Sequence, residues 1–163
     1  MEKVWRKPLQ GVVKINFDAT ITGKKMSYRL VARDHDGLVL SGRAGVLDKN
    51  VQVEWAKLQA LEESISSAQS KNWSKLEFEF YCVSLVNHFN KKNDDITTMG
   101  HRIQEIYRLM GPFYSFNFTW APRCCNKVAD YLCNWAKAKN CTMDFNMDYP
   151  SDIHELVLND AIS

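Results

Sequence analysis

Hydrophobic and polar residues alternate from Val12 to Asp18. Ile15 and Phe17 fall on one side and Lys14, Asn16 and Asp18 on the other, the period of a half-buried strand. Ser27 to Asp34 and Leu38 to Ala44 flank His35-Asp36-Gly37, whose Asp-Gly step predicts an antiparallel hairpin between them. The period then lengthens: Leu58, Leu61, Ile65 and Ala68 recur at helical spacing between Val51 and Gln69, predicting a first helix with Asn50 as its N-cap. Alternation returns from Lys75 to Cys82, with Leu76, Phe78 and Phe80 opposite Glu77, Glu79 and Tyr81, giving a fourth strand. Val83 to Phe89 reads as a short helix and Thr98 to Met110 as another, ended by Gly111-Pro112. Phe113 to Trp120 is a fifth strand, and Asn126 to Lys139, carrying Val128, Leu132 and Trp135, is a further helix. The expected architecture is α/β: a five-stranded mixed sheet, three strands in an antiparallel meander and the others parallel, with helices on both faces.

The length of 163 residues with 45% hydrophobic content fits one domain over 1–163, with 1–11 as a lead-in and 143–163 as an acidic tail. Ile153, Leu156 and Val157 are spaced as on a helix, so the tail is expected to dock on the domain. No apolar run approaches the ~18 residues that cross a bilayer, so no membrane association is expected. The opening Met1 to Arg6 lacks the apolar stretch of a secretory signal, which predicts an intracellular protein of nucleus or cytoplasm. Five cysteines without a Cys-x-x-Cys spacing read as reduced thiols, not as a disulfide framework or a zinc site. The four histidines are dispersed and no glycine-rich phosphate loop occurs.

Charge changes the picture more. Every Lys and Arg lies at or before Lys139, so that part carries 21 basic against 14 acidic residues, a net +7. A basic body with an acidic tail suits a polyanionic partner. Three acids stand out within it. Asp18 closes the first strand, Glu54 opens the first helix on its sheet-facing side, and Asp130 lies in the helix after the fifth strand. Each has an ordinary reading as a turn residue, a helix-start acid or a solvated side chain. If they converge, they repel one another unless a cation neutralises them.

The order and surroundings of these residues resemble the type 1 ribonuclease H family, most closely its plant-type branch, related to domains found beside reverse transcriptases. The resemblance is carried by Trp5, Pro8, Gly11 and Lys14-Ile15-Asn16-Phe17-Asp18, by Arg33-Asp34-His35-Asp36-Gly37, by Glu54, by Trp120-Ala121-Pro122-Arg123-Cys124-Cys125-Asn126-Lys127-Val128-Ala129-Asp130, and by Asp160 in the tail. It implies a ribonuclease H-like fold and an acidic quartet that holds two Mg²⁺ (or Mn²⁺) and cleaves the RNA strand of an RNA–DNA hybrid. Asp18, Glu54 and Asp130 match the first, second and fourth acids. The third falls on Tyr81, and Ala19 replaces the glycine that follows the first aspartate. A phenol is neutral at pH 7 and a poor Mg²⁺ ligand, so metal is expected to be held weakly and hydrolysis to be reduced or lost. Tyr81→Asp would be expected to restore the site.

Three readings stay open from sequence: a nucleic-acid-binding domain with weak or lost hydrolysis, acting on an RNA–DNA hybrid or RNA; an active hybrid nuclease in which Glu77, Glu79, Asp94 or Asp95 supplies the missing ligand; and a protein-interaction scaffold with partners unknown. For the first, Lys24, Lys25, Lys91, Lys92, Arg123, Asn126 and Lys127 are the candidate nucleic-acid contacts, lying on expected loops or beside the acids.

Overall fold

The structure is a computed structural model that describes residues 5–91, 97–122, 127–139, 142–149 and 151–161. Strands β1 (Val13–Thr22), β2 (Lys25–Arg33) and β3 (Val39–Leu47) form the expected antiparallel meander. β1 runs four residues past Asp18, because a two-residue turn with Gly23 at φ 61° takes the chain straight into β2; the left-handed region is open to glycine without steric cost. Helix α1 (Val53–Ser70) follows, then β4 (Lys75–Phe80), α2 (Val83–Lys91), α3 (Thr98–Leu109), β5 (Ser115–Trp120) and α4 (Lys127–Lys139). Asn50 does not cap α1: Gln52 occupies that position without a side-chain bond, while Glu54 in the first turn supplies the negative charge a helix start favours.

The sheet has six strands in the order β5-β4-β1-β2-β3-β6, with β4 and β5 parallel to β1. The sixth, β6 (Met143–Phe145), was hidden in the stretch read as tail. It pairs antiparallel with β3, placing the Phe145 ring over Gly42, where a Cβ would collide with it. Past a 3-10 turn at Ser151–Ile153, helix α5 (His154–Ala161) docks through Ile153 and Val157, as the spacing predicts. Among the described residues, no helix is long and apolar enough to cross a membrane.

The two faces of the sheet differ in chemistry. On one, Val13, Ile15, Phe17, Leu76, Phe78 and Phe80 pack under α1, α2 and α3, meeting Leu58, Leu61, Ile65, Leu85, Ile103 and Ile106. Side chains of this kind stabilise by about 1.5–3 kcal/mol each when fully buried. The other face, under α4 and α5, has a smaller apolar cluster of Val31, Val39, Val128, Leu132, Phe145, Ile153 and Val157. Beside it lies a buried polar row: Lys14, Asn16 and Asp18 of β1 face Arg33, Val31 and Arg29 of β2 across the ladder, with Glu79 of β4 alongside Asn16.

Candidate functional site

Asp18 and Arg29 are direct partners in the β1–β2 ladder, so strand alternation alone brings an acid and a base together on one face. Arg29 Nη2 donates to Asp18 Oδ2 at 2.7 Å and also to Asp130 Oδ1, which reaches down from the first turn of α4. One buried guanidinium thus bridges the first and last of the three acids.

A second cation comes from the opposite side of the sheet. The β1–β4 ladder runs only to Asn16 and Glu79, so Asp18 stands next to the open end of β4. Through that opening Lys57 of α1 places its Nζ 3.2 Å from Asp18 Oδ1 and donates to the Tyr81 carbonyl at 3.0 Å. Asp18 Oδ1 also accepts from the Ala19 N–H at 2.8 Å. Two carboxylates and two cations therefore cancel in charge. Taking such charges out of water is costly unless each is paired. Arg29 is not fully satisfied: its Nε and Nη1 are buried and have no hydrogen-bond partner among the described residues.

Glu54 is engaged elsewhere. Its Oε1 accepts from Ser84 Oγ at 3.2 Å, joining the starts of α1 and α2, and Ser84 Oγ lies 3.3 Å from the free thiol of Cys82. Tyr81 falls just outside β4, half exposed, with its ring against Trp120 at the end of β5. Both neighbouring glutamates are engaged with Lys14. Glu79 accepts from Lys14 Nζ at 2.9 Å and Asn16 Nδ2 at 2.8 Å, and Glu77 lies 3.4 Å from the same lysine.

Those contacts belong to a second buried network on the same face. Trp5 donates through Nε1 to Asn16 Oδ1 at 2.8 Å, and its ring lies 3.7 Å from the Arg33 guanidinium carbon. Arg33 Nη1 pairs with Asp160 Oδ2 of α5 at 2.5 Å. Burial pushes the Arg33 guanidinium below its ordinary value, and the Asp160 carboxylate opposes that shift. Both ends of the chain are thereby fastened to one arginine.

The profile of the reverse transcriptase-like family matches residues 16–136. The chain belongs to that family. No curated protein matches it by sequence. Its fold is ribonuclease H-like: it resembles ribonuclease H1 of the archaeon Halobacterium salinarum at a TM-score of 0.67 and 19% identity, over 78% of this chain and 98% of that one. It resembles LC11-RNase H1, from compost, crystallised with an RNA/DNA hybrid, at 0.68 and 19% identity, over 78% and 97%. The foamy viral protease-reverse transcriptase in complex with dsDNA matches at 0.58 and 9% identity, over 78% and 94%.

Two Mg²⁺ ions, which the sequence resemblance implies, do not fit the side chains of this reverse transcriptase-like domain. Arg29 lies between Asp18 and Asp130, Lys57 holds the other oxygen of Asp18, Glu54 faces Ser84, and the remaining position is a phenol. Among the described residues, no group of three or more His, Cys, Asp or Glu is placed to hold a metal ion.

Of the candidate nucleic-acid contacts, Lys127 is exposed in the first turn of α4, one turn from Asp130. Lys24 and Lys25 are exposed at the β1–β2 turn, where Lys25 sits 3.9 Å from Asp48; at ~3.3 Å per residue they lie well along the sheet from Asp18. Lys91 ends α2, and Lys92, Asp94, Asp95, Arg123 and Asn126 lie outside the described residues. Sequence reasoning missed Arg29 and Lys57. Alternation carried through β2 would have set Arg29 and Arg33 on the inner face beside Val31, and inward arginines demand acidic partners.

Proposed function

We propose that this is a ribonuclease H-like nucleic-acid-binding domain, one unit over 1–163, in which two internal cations have replaced catalytic metal and hydrolysis is lost. The observation that carries this reading is the Arg29 bridge between Asp18 and Asp130, seconded by Lys57. Two-metal hydrolysis needs ions ~3.5–4 Å apart to activate water and stabilise the leaving oxygen, and a guanidinium and an ammonium do neither. They do remove negative charge from the surface over which a phosphate backbone would pass.

Nucleic acid as the partner is supported by the +7 charge of residues 1–139 and by fold relatives whose structures are complexes with an RNA/DNA hybrid and with dsDNA. The test is a single experiment on an RNA–DNA hybrid with and without Mg²⁺ or Mn²⁺. Binding should persist in EDTA, weaken as salt rises by about 0.9 in log K per log salt for each phosphate contacted, and leave the RNA strand intact. Mg²⁺-dependent cleavage that Asp18→Asn abolishes would establish the active nuclease instead.

A further inference from the structure

Phe80 and Trp120 are the last register pair of β4 and β5, and the Ala121 N–H donates to the Phe80 carbonyl at 3.0 Å, holding the two strand ends together. Immediately beyond, Tyr81 turns outward and lays its ring against Trp120, centroids 5.9 Å apart and planes inclined at 35°. Other aromatic pairs of this sheet, such as Phe17 with Phe80, are buried in the core. Tyr81 and Trp120 stay 38% and 37% exposed, an open pair of rings at the edge of the domain. The backbone carbonyl of Tyr81 is held by Lys57, so the ring pair borders the neutralised acid cluster, and exposed Lys127 lies one turn from Asp130 of that cluster. Open aromatic faces near an exposed lysine and cancelled carboxylates combine apolar stacking surface with tolerance for phosphate.

We propose that Tyr81 and Trp120 form a stacking shelf for an unpaired nucleobase, so that the preferred partner is a single-stranded nucleic acid. The inference rests on the nucleic-acid reading above and narrows it. Inside a duplex both faces of every base are covered by neighbours, whereas a base in a single strand can leave its stack and lie on a ring. Lys127 then meets the adjoining phosphate, and Lys57 stays with Asp18 to keep the surface neutral. Tyr81, at the position where the sequence resemblance places a third acid, thereby has a positive role in binding.

Fluorescence anisotropy with a labelled oligouridylate, whose bases stack weakly on one another, tests the shelf against a blunt RNA–DNA hybrid of equal length. Wild type should bind the single strand more tightly than the blunt hybrid. Tyr81→Ala and Trp120→Leu should each weaken single-strand binding by about 5- to 150-fold, the range for loss of one base–aromatic stack, and Trp120→Phe should retain most of it. Tyr81 lies outside the strand and half exposed, so its truncation tests the shelf even if Trp120→Leu impairs folding. Ring variants that bind oligouridylate as wild type does, or a wild type that binds only the hybrid, would overturn the shelf and leave the nucleic-acid reading standing. Binding of neither oligonucleotide would overturn both.

Discussion

Two charge networks lie on one face of one sheet, and they are built for different ends. The network around Arg33 gathers Trp5 from the lead-in, Lys14 and Asn16 from β1, Glu79 from β4 and Asp160 from α5, and so fastens the two ends of the chain to the middle of the sheet. The network around Arg29 draws on β1, β2, α1 and α4, sits at an open strand end, and leaves two guanidinium nitrogens without a partner among the described residues. The first resembles a clasp, in which Arg33 keeps partners on Nη1 and Nη2 and only its Nε has none among the described residues. The second holds the two acids that the sequence resemblance matches to the first and fourth of a quartet, and neutralises them from within. Arginine in a β-ladder can therefore close a fold or close a site: Arg33 meets Asp160 of the last helix, whereas Arg29 meets its own ladder partner Asp18 and Asp130 of α4.

Removing the clasp should produce the largest change. Truncation after Thr142 removes β6 and α5, hence Phe145, Ile153 and Val157 at about 1.5–3 kcal/mol each, and strands Arg33 without Asp160. Urea unfolding should show a loss of several kcal/mol or no cooperative transition; an unchanged midpoint would show that the tail does not secure the sheet.

Next in size is Arg29→Ala. It leaves Asp18 and Asp130 facing each other, and breaking a buried pair in this way costs about 3–5 kcal/mol. Millimolar Mg²⁺ should recover part of that loss in the variant while leaving wild-type melting unmoved. Equal Mg²⁺ responses in the two proteins would dissolve the contrast between the networks.

Lys57→Met should have a smaller effect, about 1–2 kcal/mol, because Asp18 keeps Arg29 and the Ala19 N–H. Thermal melts would detect it, and a loss as large as that of Arg29→Ala would mean that the lysine is the principal counter-ion.

The smallest expected effect departs from the sequence-based expectation. Tyr81→Asp alone adds a carboxylate at a half-exposed position but leaves Arg29 between the acids, so cleavage of a hybrid should stay absent and stability should change by less than about 0.5 kcal/mol. A hybrid-cleavage assay in which this single substitution restores Mg²⁺-dependent activity would show that the guanidinium yields to metal.

The apolar face was legible because burial repeats with the period of the element: the spacing of Leu58, Leu61, Ile65 and Ala68 locates α1, and the alternation of Leu76, Phe78 and Phe80 locates β4. The sixth strand was not, since three residues are too few to show a period and β6 is defined by its pairing with β3. At the site, the sequence placed Asp18 at β1, Glu54 at the start of α1 and Asp130 in α4, and picked out Tyr81 as the odd residue. It did not reveal that Glu54 turns to Ser84, nor that Lys57 crosses from the other face, because those contacts depend on where β4 ends relative to β1 and not on any local pattern.

Calorimetric titration of the wild-type protein with Mn²⁺ tests the central claim most directly, with Arg29→Gly/Tyr81→Asp as the comparison and Asp18→Asn as the control. If Arg29 and Lys57 stand in for metal, wild type shows no saturable site and the double variant gains one that adding Asp18→Asn removes. Saturable Mn²⁺ binding by wild type, lost in Asp18→Asn, would contradict the account.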